Sequence, residues 1–159
     1  MAPHGVLLVT SDHLAWPGLE ALLRRERDLR VLDSVRAADA AVRAANLHRP
    51  TSILVAADLE HTPLVVLVEA LRARSPRSKV IVIGPALEHA EQARLLALRS
   101  VYHVRWEEMI SERMGHILAL VRDADVRVVS GVVAERLAPP DRRQRSREPG
   151  IALSERERA

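Results

Sequence analysis

The chain has 159 residues, 48% of them apolar, and a formal charge of +3, enough for one ordinary domain with a packed core and a tail. Phe is absent and only two Trp and one Tyr occur, so the core must be built from Val, Leu, Ile and Ala and has little aromatic area to anchor a partner. The absence of cysteine excludes a disulfide scaffold, a thiolate metal site and a cysteine nucleophile, and no apolar run approaches the roughly 20 residues that span a bilayer, so a cytoplasmic protein with no membrane partner is expected.

In chain order, Gly5 to Thr10 (GVLLVT) is a short apolar run of the fully buried strand type, followed by the polar turn SDH. Leu19, Leu22 and Leu23 then recur at helical spacing within Trp16 to Glu26, with Pro17 tolerated in a first turn. A strand is predicted at Leu29 to Ser34 and a helix at Ala37 to Leu47, stopped by Arg49-Pro50. The next strand is Ser52 to Ala56, followed by a helix from about Pro63 to Arg74 and the break SPRS. Val80 to Ile83 reads as a strand, Glu88 to Arg99 as a helix and Val101 to Val104 as a short strand. Glu107 to Arg122 reads as a helix with Ile110, Met114, Ile117, Leu118 and Val121 inward.

Strands and helices that alternate in this way imply a parallel sheet covered on both faces. The arrangement is the flavodoxin-like, doubly wound (βα)5 sandwich of strand order 2-1-3-4-5, in which ligands sit outside the carboxyl ends of the strands. The candidate site is therefore built from Thr10 to His13, Ala56 to His61, Gly84 to Leu87 and His103 to Glu107. No glycine-rich phosphate loop and no nucleophile–base pair stands at those ends, so an enzyme is not expected. Nor is a metal or cofactor: His13, His61 and His103 fall near the site with Asp12 and Asp58, but without ligand spacing. The helix TPLVVLVEALRAR is apolar beyond one stripe, which means deep burial or an apolar patch, burial being the simpler expectation. Lys79 is the single lysine. An excess of arginine and alanine of this kind fits GC-rich coding bias, and is weak evidence for nucleic-acid binding by the segment itself.

From Pro139 to Gly150 the chain (PPDRRQRSREPG) has no apolar residue to bury and reads as a solvated linker. The final IALSERERA holds Ser154 and Glu157 at capping-box spacing, the start of a helix. The organisation read from this is a domain over 1–122, a short helix and linker over 123–152, and the start of a second, truncated domain over 153–159.

At this point the sequence resembles a receiver domain of a bacterial two-component response regulator, of the NarL/LuxR class. The likeness spans roughly residues 5–122 and rests on the VLLV strand with the following H-x-x-x-x-G-L, on HRPTSILVAADL, on LRARSPRSKVIVIG and on the terminal LSERER. In that family LxxRER opens a helix-turn-helix, so the resemblance implies promoter DNA as a partner of the full protein. A receiver of this kind accepts a phosphoryl group on an aspartate that ends the third strand. Two acids after the first strand hold Mg2+, a Thr or Ser ends the fourth strand and a Lys ends the fifth, so that cation, hydroxyl and ammonium neutralise and read the phosphoryl oxygens.

Counted without gaps from Arg49-Pro50 and back from Arg74-Ser75-Pro76, the phosphoacceptor position falls on Ala56. The acid pair becomes Thr10-Ser11, the hydroxyl residue becomes Gly84, and the lysine falls at Arg105 or Trp106. The resemblance thus implies a degenerate, phosphorylation-independent receiver. Asp58, two residues late, is a fallback acceptor only through a local register shift, and Asp12 either caps the first helix or is exposed. Asp12, His13, Asp58, His61 and Trp106 could together line a pocket for a small-molecule effector, although Trp106 more simply fills the emptied space. The family's dimer face maps to Arg94, Leu98, Tyr102, Glu112 and His116, which implies a homodimer. A stand-alone adaptor that binds a kinase or another regulator is the alternative reading.

Overall fold

In the computed structural model, residues 3–98, 101–105 and 121–122 are described. Their elements alternate: β1 (His4–Val9), α1 (Ala15–Arg25), β2 (Leu29–Val35), α2 (Ala38–His48), β3 (Ser52–Ala56), α3 (Leu64–Arg74), β4 (Lys79–Gly84), α4 (His89–Leu96) and β5 (Val101–Arg105). The strands form one parallel sheet in the order β2-β1-β3-β4-β5, the order that the alternating pattern predicts. The helix expected over Glu107 to Arg122 lies outside the described residues apart from its last two, as do Trp106, Glu112, His116 and everything beyond Arg122.

The central strands show why the sequence reads as continuous apolar runs. Every residue of β3 and of β4 is buried, as a parallel sheet covered on both faces requires. Successive side chains enter opposite core layers: Leu8, Leu54, Ala56, Ile81 and Ile83 pack with Trp16, Leu19 and Leu23 of α1. Leu7, Val9, Ile53, Val55, Val80 and Val82 pack instead under α2 and α3. Helix α3 buries Leu64, Val65, Leu67, Val68 and Leu71 and leaves Val66 as its one exposed large apolar residue. Burial therefore accounts for its apolar surface, each leucine contributing about 1.5–3 kcal/mol of transfer free energy. The neighbouring α2 presents Ala41, Ala44 and Ala45 inward, and these small side chains let it lie close to the sheet.

At the amino-terminal edge of the sheet the strand starts are laced together. His4 N–H donates to Asp28 O (2.8 Å), Thr51 N–H to Gly5 O (2.8 Å) and Lys79 N–H to Thr51 O (3.0 Å). The buried Ser78 Oγ donates to Pro50 O at 2.5 Å, and Ser52 Oγ donates to Val121 O at 3.4 Å. Arg122 closes the same edge: Nε reaches Asp28 Oδ2 at 2.6 Å and Nη2 reaches Asp28 Oδ1 at 2.9 Å, while Nη2 also pairs with Glu26. The Arg122 guanidinium holds the Asp28 carboxyl below the usual aspartate range.

Strand β1 and strand β2 are not in plain register. Val6 faces Val31 but Leu7 faces Asp33, so Leu32 is an extra residue in the ladder, a β-bulge. Its side chain lies over Gly5, where a Cβ would come within 2.7 Å of Leu32 Cδ1. Helix α4 is shorter than its apolar pattern predicts, ending at Leu96 rather than Arg99. Leu98 N–H turns back to Leu95 O at 3.0 Å, a tightened last turn that satisfies a carbonyl the helix would otherwise leave open.

Candidate functional site

The carboxyl ends of the strands form a mouth of about 650 Å3. It is lined from three directions: Thr10, Ser11 and Asp12 after β1, Arg36 to Asp39 after β2, and Asp58 to Thr62 after β3. Among the described residues, none that follows β4 or β5 contributes to it. The mouth is thus displaced toward the β2 side of the sheet.

The packing at the end of β3 explains the displacement. Ala56 is the last residue of the strand, fully buried among the α1-side core residues. Ala57 continues the ladder for one more bond, its N–H donating to Ile83 O at 2.9 Å. This sets Ala57 directly against Gly84, where an added Cβ would sit 2.5 Å from Ala57 Cβ. Gly84 in turn faces Arg105 across the next ladder. Leu59 folds back and packs against both core layers while lining the mouth. The β3–β4 seam is therefore tightly packed, and the described residues expected at an altered phosphorylation site do not share one cavity: Thr10 and Ser11 line the mouth, whereas Ala56, Gly84 and Arg105 do not.

The hydroxyls after β1 make local bonds. Thr10 is buried, and both its N–H (2.8 Å) and its Oγ1 (3.4 Å) donate to Val35 O. Ser11 Oγ accepts from His13 N–H at 3.3 Å. Neutral hydroxyls of this kind are far poorer partners for a hard divalent cation than carboxylates. Asp12 does not cap α1, whose N-cap residue is Leu14, without a side-chain cap. It is two positions too early for that role, and instead forms an ion pair across the mouth with Arg36.

The predicted effector pocket is brought together in part. Asp12, Asp58 and His61 line the mouth, but His13 does not. His13 is exposed, and its Nδ1 accepts the Ala15 N–H at 3.1 Å, so it is engaged at the start of α1. His61 adopts φ 67°, a left-handed conformation that is unfavourable for a side chain other than Gly or Asn. His103 is buried in β5, with Nε2 3.2 Å from Pro85 O. Among the described residues no group of three or more His, Asp or Glu side chains is placed to hold a metal ion. Of the expected dimer face, Arg94 is exposed and Leu98 and Tyr102 are half-buried. The candidate segments read from the sequence hold Leu59 and Glu60 but miss Arg36, Asp39 and Thr62. The signal for Arg36 was available: it follows a strand, and the strand-end rule applies to β2 as it does to the others.

The order of the strands and the helices on both faces define a receiver-type flavodoxin-like fold. Solved structures bear this out. The chain is similar to a two-component response regulator of the LuxR family from Aurantimonas sp. SI85-9A1 (16% identity over 86% of this chain and 96% of that one, TM-score 0.70). It is similar to the isolated receiver domain of RcsB from Salmonella enterica serovar Typhimurium (13% identity, 86% and 99%, TM-score 0.67) and to the signal receiver domain of NarL from Mycobacterium tuberculosis (15% identity, 77% and 98%, TM-score 0.64). No family model and no curated protein matches the sequence. No helix among the described residues is long and apolar enough to cross a membrane.

Proposed function

We propose that this chain is the receiver-type regulatory domain of a LuxR-type transcriptional regulator, and that it works without phosphorylation at the usual site. It serves as a homodimerisation platform, placing two helix-turn-helix domains on paired DNA half-sites. A small molecule at the mouth biases the dimer equilibrium. The observation that carries this reading is the buried Ala56 at the end of β3: a methyl group offers no oxygen to phosphorylate. The seam beside it is closed by Ala57 and Gly84, and the residues after β1 bring hydroxyls where cation-binding acids would stand.

One observation favours a second reading. Asp58 is exposed and lines the mouth, where a phosphodonor could reach it. Incubation with acetyl phosphate and Mg2+, followed by intact-mass measurement, separates the two. The expected result is an unmodified chain. A stoichiometric phosphoryl adduct that is lost in Asp58→Ala overturns the first reading and establishes the second.

A further inference from the structure

We infer that the amino-terminal edge of the sheet, opposite the mouth, is a second interaction surface, built to hold the phosphate backbone of duplex DNA. In a parallel sheet with helical crossovers, every helix ends and every strand begins at that edge, and there the chain concentrates its positive charge. Arg25 closes α1, Arg27 and Arg30 flank the start of β2, Arg49 follows α2, Arg74 ends α3 and Arg77 precedes β4. All six are exposed, and none takes part in an ion pair among the described residues. Among the described residues the edge's two acids, Glu26 and Asp28, are both engaged by Arg122.

The backbone bonds that link Asp28 to His4, Gly5 to Thr51 and Thr51 to Lys79 put these segments on four adjacent strands. The arginines therefore spread over about 14 Å, three strand spacings of about 4.8 Å. The opposite end has the reverse sign, with Asp58, Glu60, Glu88 and Glu91 exposed or half-buried there. A polyanion is thus drawn to one end of the domain and repelled from the other.

Coding bias explains why these residues are arginines, but not why they gather at one edge. Cations in the last turn of a helix complement its dipole, which accounts for Arg25 and Arg74 and leaves Arg27, Arg30 and Arg77. Arg49 has φ 46° and ψ 58°, a position that glycine occupies at lower cost; its Nε donates to Asn46 O at 3.0 Å, and its guanidinium is otherwise exposed. Guanidinium groups favour phosphate through paired donors. The one large apolar residue exposed near this edge among the described residues, Leu47, is too little to insert into a bilayer, which favours nucleic acid over a membrane surface. The inference stands apart from the proposed absence of phosphorylation, so the acetyl phosphate result leaves it untouched.

The test is fluorescence anisotropy of a labelled random-sequence duplex of about 20 base pairs with the 159-residue chain, titrated between about 25 and 200 mM salt. Neutralisation of four to six phosphates gives a log K against log[salt] slope of about −4 to −5. The triple variant Arg27→Gln, Arg49→Gln, Arg77→Gln is expected to bind at least tenfold more weakly at about 50 mM salt and to flatten the slope by about 2–3. The pair Arg30→Gln, Arg74→Gln is a second set whose effect does not depend on the first variant's folding. A third variant, Arg142→Gln, Arg143→Gln, Arg145→Gln, removes charge from the linker and is expected to retain the slope set by the edge. Salt-insensitive binding, binding lost only in the linker variant, or retention on phosphatidylglycerol vesicles without DNA binding would each overturn the proposal.

Discussion

Substituting Gly84 tests whether the seam between β3 and β4 is closed by packing or is merely short of functional groups. An alanine at 84 places its Cβ 2.5 Å from that of Ala57, with the Ala57 Cα and N each 3.4 Å away. Methyl carbons rest at about 3.5–4.0 Å, so the strands must part by about an ångström at a place where Gly84 is buried and Ala57 half-buried. Overpacking of this kind costs about 1–3 kcal/mol, which in a domain of this size lowers Tm by about 3–5 °C for each kcal/mol. Ala57→Gly removes the opposing methyl and costs about 0.5–1 kcal/mol on its own through chain entropy. In the double variant the clash is gone, so the two changes are expected to couple favourably by at least about 1 kcal/mol. Urea unfolding of the parent, the two single variants and the double variant measures that coupling. Additive effects, or a Gly84→Ala variant as stable as the parent, would show that the seam has room to spare and would refute the argument that it is sealed.

Two further outcomes follow from features at the ends of the domain. Arg122 lowers the Asp28 pKa below its ordinary value of about 3.8, so the stability this pair contributes is fully present above that value. It is lost as the pH falls through the lower, folded-state pKa. Asp28→Asn is therefore expected to be less stable than the parent near neutrality and to converge on it as the pH falls through the lowered Asp28 pKa, in denaturant midpoints taken at low salt. Arg49 and His61 are the two non-glycine residues with positive φ among those described. Glycine relieves the left-handed strain of about 1 kcal/mol and gives back part of it as chain entropy. Arg49→Gly and His61→Gly are each expected to stabilise the fold by up to about 1 kcal/mol, read as a raised unfolding midpoint, and a loss of stability in both would contradict the backbone assignment.

The parts of the fold legible in the sequence were those that local chemistry decides. Ser52 to Ala56 is read with its observed bounds because an unbroken apolar run lies between Arg49-Pro50 and an acid-containing turn. The apolar breadth of α3 is understood once it is seen packed on the sheet beside α2. What was not legible depends on residues distant in the chain. Asp12, read as a helix cap or an exposed residue, is exposed: the helix begins three residues later, and its partner Arg36, in the turn after β2, is distant in the chain. The contact of Ala57 with Gly84 is equally hidden: each residue alone is only small, and the closed seam exists only when the two strands stand side by side. His13, expected in the pocket, is spent instead on the first turn of α1.

Leu32 has a consequence for how β2 compares with related strands. Because Val31 pairs with Val6 and Asp33 with Leu7, the strand holds one residue more than its ladder needs. Removing Leu32 would leave every other pair in place and keep both halves facing as they do, whereas a deletion elsewhere in β2 would turn part of the strand inside out. Position 32 is thus the point at which this edge of the sheet tolerates a change in length. Strands that lack the extra residue align with β2 only if the gap is placed there, and an ungapped comparison assigns the wrong face to every residue from Asp33 to Val35.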